Sequence, residues 1–406
     1  MSPNSWPPNG FEEECLQTSD QVMASQLTWA EIDLAAIAHN VRELRRITEP
    51  RARLMIAVKA NAYGHGAVQV ARTGLENGAD QLGVARIEEG IELRRAGIRA
   101  PILIFGYTPA GSAPLLADHD LTASVFSLEG AARLDKAVPG NRRLAVHLKV
   151  DTGMGRMGLL PDIRRCVTEG VNSGPGAVEE ILGIAALKNL RLEGIWTHFA
   201  VSDAVDKSYT RQQLQLFREL VQSLEQKGLT VGLHHTANSG AIIDMPESHL
   251  DMVRAGISVY GLYPSRDVDL NKIHLQPALA LKARITHVKQ VPAGTRISYG
   301  GTWQSSRPTT IATVPVGYGD GYSRLLSNRG QMLVHGRRAP IVGRVCMDLT
   351  MLDVGHIDNV RVEDEVVIIG RQGDDVISAD EVAAQLNTIN YEVVTALMHR
   401  VPRVYT

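Results

Sequence analysis

The sequence predicts an α/β chain: a (β/α)8 TIM-type barrel followed by a mostly-β C-terminal domain. Three observations carry this. From about residue 53 to 256, short apolar runs alternate eight times with amphipathic helical stretches, the rhythm of a barrel rather than of a doubly wound sheet. After Tyr260-Gly261-Leu262-Tyr263-Pro264 the texture changes to β-branched runs with no long helices between them. The length, 406 residues, accommodates both parts.

In chain order, residues 1–27 are rich in Pro, Asn and Ser and carry Glu12-Glu13-Glu14. They lack the basic and apolar regions of a signal peptide and read as a flexible, dispensable extension. Thr28–Leu34 reads as a strand that could join the C-terminal domain. The barrel is expected over 28–270, with strands at Leu54–Lys59, Gln81–Ala85, Pro101–Phe105, Leu121–Val125, Leu144–Val150, Leu192–His198, Leu233–Ala237 and Met252–Ala255. Helical patterns at Ala67–Asn77, Arg86–Arg95, Leu128–Ala137 and Lys207–Lys227 lie between them. The β-rich domain, 271–406, offers runs at Ala280–Val288, Thr310–Val316, Gln331–Val334, Ala339–Val345 and Glu365–Ile369. One helix is expected over Ser378–Asn387, with Ser378 as its cap and Glu381 three residues on.

Composition narrows the function. A net charge of −2 gives no electrostatic reason for nucleic acid or an anionic membrane, and no apolar run reaches the length of a membrane span. Three scattered cysteines, Cys15, Cys166 and Cys346, argue against a disulfide framework and suit a reducing compartment, so a cytoplasmic protein is expected.

Barrel chemistry sits at the C-terminal ends of strands. Lys59 ends the run Leu54-Met55-Ile56-Ala57-Val58 and precedes a glycine-containing loop. Desolvation disfavours an ammonium there, and the neutral amine is the form that condenses with an aldehyde. Read alone, Lys59 is equally a strand-end lysine reaching to solvent. His198 alone is a core histidine, Asn238-Ser239-Gly240 a helix cap, and Arg254 an ion-pair partner. Together they describe a binding outline. Small residues at Ser239-Gly240 and Gly256-Ile257, on the last two strands, allow backbone N–H groups to cradle a phosphate. A lysine on strand one and an arginine beside the phosphate position complete an outline for pyridoxal 5′-phosphate. Arginine can only donate to the pyridine nitrogen, which favours a simple proton swap at Cα over transamination.

The chain resembles the alanine racemase family of fold-type III pyridoxal-phosphate enzymes. Seven motifs carry the resemblance between about Trp29 and Tyr405. They are Val58-Lys59-Ala60-Asn61-Ala62-Tyr63-Gly64-His65-Gly66, Lys149-Val150-Asp151-Thr152-Gly153-Met154-Gly155-Arg156-Met157-Gly158, Arg254-Ala255-Gly256-Ile257, Ile297-Ser298-Tyr299-Gly300, Val316-Gly317-Tyr318-Gly319-Asp320-Gly321, Gly343-Arg344-Val345-Cys346-Met347-Asp348 and Asn390-Tyr391-Glu392.

The resemblance implies interconversion of L-alanine and D-alanine, supplying D-alanine for peptidoglycan. It implies two bases: Lys59 for D-alanine and Tyr299 for L-alanine. Tyr299 comes from the partner subunit's β-domain, so a head-to-tail homodimer is implied. A free phenol, with a pKa of ~10, is a poor base near neutrality; His198 beside Arg254 is the expected support. Ser239, Gly256, Ile257, Tyr63 and Tyr391 are the implied phosphate contacts. Arg156 and the Met347 backbone N–H are the implied substrate-carboxylate contacts, with Tyr318 and Tyr391 narrowing the entrance. Some members carry a carbamylated lysine at the position of Lys149. Cys346 reads as a packing or entrance residue, since a proton swap needs no thiol.

Alternatives are a broad-specificity or serine racemase on the same scaffold, and a fold-type III decarboxylase, which Arg254 argues against. A single-barrel cofactor carrier does not account for the segment after Gln276. A metal-dependent hydrolase using His65, His198, His234 or His235 lacks an H-x-H pair, and no metal is expected.

Overall fold

The computed structural model describes residues 26–161 and 176–406. The expected N-terminal extension lies outside the described residues up to residue 25, as do Cys15 and Cys166. Two compact units result.

The first unit comprises Asp33–Leu279 with Ile389–Ala396. Eight strands form one parallel sheet: β1 Arg53–Ala57, β2 Gln81–Val84, β3 Ile102–Ile104, β4 Thr122–Val125, β5 Leu144–Lys149, β6 Leu190–Trp196, β7 Leu233–His235 and β8 Met252–Ala255. Each pairs with the next from β1 to β7, and β1 also pairs with β8. Two backbone bonds join β7 to β8 and close the barrel: Asp251 N–H to His234 O, 3.1 Å, and Arg254 N–H to Ala237 O, 2.9 Å. Strands covered on both faces are largely apolar, and β2, β3 and β8 are buried throughout, Gln81 and Arg254 included. Met55, Leu103 and Met252 pack inside the barrel with Phe105, and glycine at 83 makes room for that ring. A Cβ on Gly83 would lie 2.1 Å from Phe105.

The helices Ala67–Glu76, Ile87–Arg95, Leu128–Ala137 and Ser208–Gln226 fall where the periodicity predicts them. Leu34–Ile47 and Ala177–Ala185 add helices that the sequence reading does not name. Asp33 caps the first of these by accepting from Ala36 N–H at 2.8 Å.

The second unit comprises residues 26–32, 280–388 and 397–406. Its larger sheet runs in the order Arg337–Pro340, Gln331–Val334, Glu365–Gln372, Leu279–Arg284, Thr28–Ile32, Arg403–Tyr405, with Asp375–Ile377 pairing to Glu365–Gln372. A second sheet joins His287–Val291, Thr309–Val314 and Thr350–Asp353, all antiparallel. Val291, Ile297, Ile311 and Val342 form a core beneath it. Thr28–Ile32 does join this unit's sheet, and Ser378 does cap the helix Ala379–Leu386, accepting from Glu381 N–H at 3.0 Å. The apolar run Ala280–Val288 is two strands in two sheets rather than one, broken at Ile285 and Thr286. The run Ala339–Val345 leaves its ladder after Pro340.

The division also differs from sequence bounds of 270 and 271. Residues 271–279 stay with the barrel because Asn40 clamps them: its amide donates to Gln276 O, and its Oδ1 accepts from Gln276 N–H, both at 2.8 Å. Residues 389–396 return to the barrel unit, held by Asn390 Nδ2 donating to Tyr263 O at 3.0 Å. That return presses the Val394 carbonyl against Gly64, whose φ of +87° is left-handed. A Cβ at 64 would lie 2.3 Å from Val394 O. Gly64→Ala is therefore expected to lower stability by about 2 kcal/mol or more, combining backbone strain with a backbone clash. Urea unfolding of the two proteins checks this; equal midpoints would contradict it.

Candidate active site

Strand β1 ends at Ala57, two residues earlier than the sequence suggests, and Lys59 opens a turn of unusual hand. Ala60, Asn61, Ala62 and Tyr63 all have φ between 51° and 53°. Left-handed backbone costs about 1–2 kcal/mol per non-glycine residue, so the surroundings must hold the turn. Glu89 accepts from Ala60 N–H at 2.6 Å, while its other oxygen takes the N–H groups of Ala85 and Arg86. Asn61 Oδ1 accepts from Ala67 N–H at 2.8 Å. Tyr63 packs on Tyr260, whose hydroxyl donates to Ala57 O at 2.7 Å. The turn aims the Lys59 amine into a cavity of about 470 Å³ at the C-terminal end of the barrel.

Lys59, Tyr63, Arg156, His198, Ser239, Arg254, Gly256, Ile257 and Tyr391 all line that cavity. Tyr391 arrives on the returning segment, in the helix Asn390–Thr395. Gly256 N–H donates to Ser239 Oγ at 2.9 Å, and a Cβ at 256 would sit 3.1 Å from the Tyr63 hydroxyl. Backbone, hydroxyl and phenol thus converge on one spot that a side chain would fill. Asn238 meanwhile caps Ser239–Asp244 by accepting from Ala241 N–H at 3.3 Å, so the bland reading of that motif holds as well.

Burial holds the Lys59 amine below its ordinary pKa, helped by the Arg156 charge and opposed by Glu89. Burial likewise raises Tyr63 to about 12 and pushes Tyr391 up. Arg156 stands in the turn after β5. Asp151 organises that turn: Oδ1 accepts from the N–H groups of Gly153, Met154 and Gly155, and Oδ2 from Arg156 N–H at 2.9 Å.

Arg254, only 4% exposed, makes no ion pair among the described residues. Its Nη1 donates to His235 Nδ1 and O, and its Nη2 to the carbonyls of Thr197 and Thr236, at 2.7–3.0 Å. Its Nε–H donates no hydrogen bond among the described residues, and Arg254 lines the cavity. The imidazole that Arg254 touches is therefore His235; the ring of His198, the expected neighbour, makes no hydrogen bond among the described residues. Trp196 stacks on His235 and carries Arg254 Cζ and Lys149 Nζ over its ring, at 4.9 and 4.8 Å. Lys149 is 2% exposed and, among the described residues, bonds only Val150 O, at 3.1 Å. Burial, then the Arg254 charge, brings its pKa down to about 7.

The second unit gathers Tyr299, Tyr318, Cys346 and Met347. Ser298, at φ +62°, donates to Arg344 O and lies 3.4 Å from Cys346 Sγ. Tyr318 N–H donates to Cys346 O at 3.0 Å, and Gly319 N–H to Met347 O at 2.8 Å. Tyr299 is 72% exposed and Met347 53%. The Met347 N–H donates no hydrogen bond among the described residues. Arg400 bridges Asp320 and Asp348, both at 2.7 Å.

Glu89, Asp151, Trp196 and His235 are site residues the sequence reading does not assign. Asp151 had a signal, since Asp two residues before a glycine is turn chemistry. Glu89 has a local signal as a helix-capping acid, but its reach to Ala60, like the contacts of Trp196 and His235 across strands, is recorded by no local pattern.

Fold and cavity together define a barrel enzyme with a desolvated lysine and a phosphate-sized cradle at its mouth. The N-terminal domain model of alanine racemase matches residues 32–264, and the C-terminal domain model matches 278–405. An alanine racemase of Desulfosudis oleivorans is 53% identical over 378 residues, 93% of this chain and 96% of that protein. One from Desulforamulus reducens is 52% identical over 378 residues, covering 93% and 98%. The solved structure of Clostridium difficile alanine racemase superposes with a TM-score of 0.86 at 39% identity, covering 94% of this chain and 96% of that one. The chain belongs to the alanine racemase family.

The buried imidazoles make the barrel sensitive to acid. Burial, then the charge of Arg254, then that of Arg53, brings His147 down to about 3, and burial holds His235 well below its ordinary range. An unfolded chain takes up these protons near pH ~6.5, whereas the folded chain cannot, so stability falls as pH drops from there toward 3. His147→Asn is expected to be less stable at pH 7 yet to lose less stability on acidification. Urea unfolding across that range measures both, and parallel curves for the two proteins would contradict the assignment.

Proposed function

We propose that this chain interconverts L-alanine and D-alanine with pyridoxal 5′-phosphate held over Lys59. Among the described residues no helix is long and apolar enough to cross a membrane. The observation that carries the reading is the convergence of Lys59, Arg254 and the Ser239–Gly256 cradle on one cavity. When bound, pyridoxal 5′-phosphate supplies a conjugated ring that withdraws the electron pair left when an attached amino acid loses its Cα proton.

The residues around the cavity fit that group. Lys59 anchors its aldehyde, and Ser239, Gly256, Ile257, Tyr63 and Tyr391 hold its phosphate. The Nε–H of cavity-lining Arg254, unpaired among the described residues, is a permanent donor, which suits an unprotonated ring nitrogen. Once released from the cofactor, the Lys59 amine takes or returns the Cα proton on one face. Its desolvated site shifts the balance toward the neutral form that can take a proton.

A proton removed and returned on one face restores the same enantiomer, so a second base is required. Tyr299 is our assignment, contributed by a second copy of the chain in a head-to-tail homodimer. Its support is the exposed cluster of Tyr299, Tyr318 and Met347, aromatic and apolar surface that calls for a cover. In this arrangement Arg156 and the unused Met347 N–H bind the substrate carboxylate, His198 supports the Tyr299 phenolate from the barrel side, and Tyr318 with Tyr391 limits substrate size. Cys346 holds the Tyr299 loop through Ser298.

Alanine interconversion by Lys59→Ala is expected to fall about a thousandfold or more. In Tyr299→Phe, racemisation drops equally in both directions, because the enantiomers have equal free energy. Exchange of the D-alanine Cα proton into D2O, which needs only Lys59, persists. Mixing the two variants should restore up to about a quarter of wild-type activity, since one site in each mixed dimer is intact. Full activity in Lys59→Ala overturns the whole scheme, and no restoration on mixing overturns the shared site.

Lys149 we assign as carbamylated. A neutral amine attacks carbon dioxide and gives up one N–H proton to solvent, and the guanidiniums of Arg254 and Arg156, which both disfavour an ammonium there, favour the resulting carbamate anion. Enzyme equilibrated with 13C-bicarbonate should show a carbamate signal that Lys149→Gln lacks; identical spectra would refute the modification.

A further inference from the structure

The opposite end of the barrel holds a second cavity, of about 450 Å³, bordered by the starts of seven strands. Arg53, Gln81 and His147 supply polar groups, and Ile102, Leu103 and Leu233 supply apolar wall. Gln81 and His147 are only 6% and 3% exposed. The guanidinium of Arg53 and the side-chain amide of Gln81 make no hydrogen bond or ion pair among the described residues. Arg191, also on the rim, is occupied by Glu193 at 2.6 Å.

A hydrogen-bond chain fixes which way the protons in this end of the barrel point. Arginine has no acceptor, so in the 3.0 Å contact Arg254 Nη1 donates and His235 Nδ1 accepts. His235 therefore carries its proton on Nε2, which lies 2.9 Å from His147 Nδ1 and donates to it. His147 in turn carries its proton on Nε2. Both rings are neutral, as their burial among guanidiniums requires. His147 Nε2–H has no protein acceptor among the described residues. It is not among the sealed polar atoms either, so it reaches the base cavity that His147 borders.

We propose that the base cavity is a binding site for a short-chain carboxylate. His147 Nε2–H and the Arg53 guanidinium hold the carboxylate, with the Gln81 amide beside them, and the apolar wall holds the tail. The donor chain terminates in a group that demands an acceptor. Two guanidiniums against one carboxylate leave the rim positive, and an alcohol or amine of the same shape lacks the charge that Arg53 complements. The site lies away from the Lys59 cavity and uses none of its lining residues.

The test is a titration of the full-length holoenzyme, labelled with 15N-histidine, with sodium butanoate at constant ionic strength. The His147 ring signals are identified by their loss in His147→Asn. They should shift saturably in wild type, and the midpoint should rise about tenfold or more in Arg53→Gln, the loss expected for a charged hydrogen bond. Arg53 is exposed and its side chain is unpaired, so this variant keeps the fold. His147 signals that do not move, or that move with the same midpoint in Arg53→Gln, overturn the proposal. Butanoate binding only at the Lys59 cavity gives one of those two results.

Discussion

A single guanidinium, buried with no counter-ion among the described residues, sets the electrostatics of the barrel. Arg254 is surrounded by three carbonyls and an imidazole nitrogen, all neutral acceptors. These satisfy its hydrogen bonds but leave its charge uncompensated, so every basic group nearby is pushed toward its neutral form. Arg254 contributes to the depression of His147, Lys149, His198 and His235 alike. The barrel centre thereby holds a fixed positive charge beside several basic groups biased toward their neutral forms. This environment favours anions wherever the core opens to space.

Lys59 depends on a different constraint, one of backbone shape. Four successive left-handed residues turn the chain sharply after β1, and their cost is met by Glu89, Asn61 and the aromatic packing around Tyr260. Glu89 holds backbone on both sides of the site while lying near enough to Lys59 to temper its desolvation. A rigid turn of this kind places a long, flexible side chain more narrowly than an ordinary strand end. Asp151 does the equivalent for Arg156 by gathering four backbone donors onto one carboxylate.

Much of this was legible beforehand, for identifiable reasons. Parallel strands are mostly apolar, so most of them appear as apolar runs despite Gln81 in β2 and Arg254 in β8, and helices between them carry their own period. Ser378 and Glu381 announce a helix start by local chemistry. The residues lining the cavity were legible through motifs, Lys59 and Arg254 foremost. The left-handed turn was not, because Ala60, Asn61, Ala62 and Tyr63 carry no glycine signal; tertiary contacts impose it. The break at Ile285–Thr286 was hidden because both of these residues are β-branched and the sheet change occurs without a turn residue. His235 as the hydrogen-bond partner of Arg254 follows from barrel closure between β7 and β8, a long-range fact, while His198 lines the same cavity as Arg254. The return of 389–396 is of the same type, resting on Asn390 and Gly64.

That returning segment has a bearing on how the protein is made. The wall of the Lys59 cavity runs in sequence from Ala57 to Tyr391, so its first and last pieces leave the ribosome far apart in time. The eight strands can close around Arg254 well before Ile389 and Tyr391 exist. In that interval the cradle at Gly256 stands open on one side and the strained turn lacks the Val394 carbonyl that packs on Gly64. The mouth of the barrel therefore cannot be complete until a helix six residues long, near the end of the chain, has been translated.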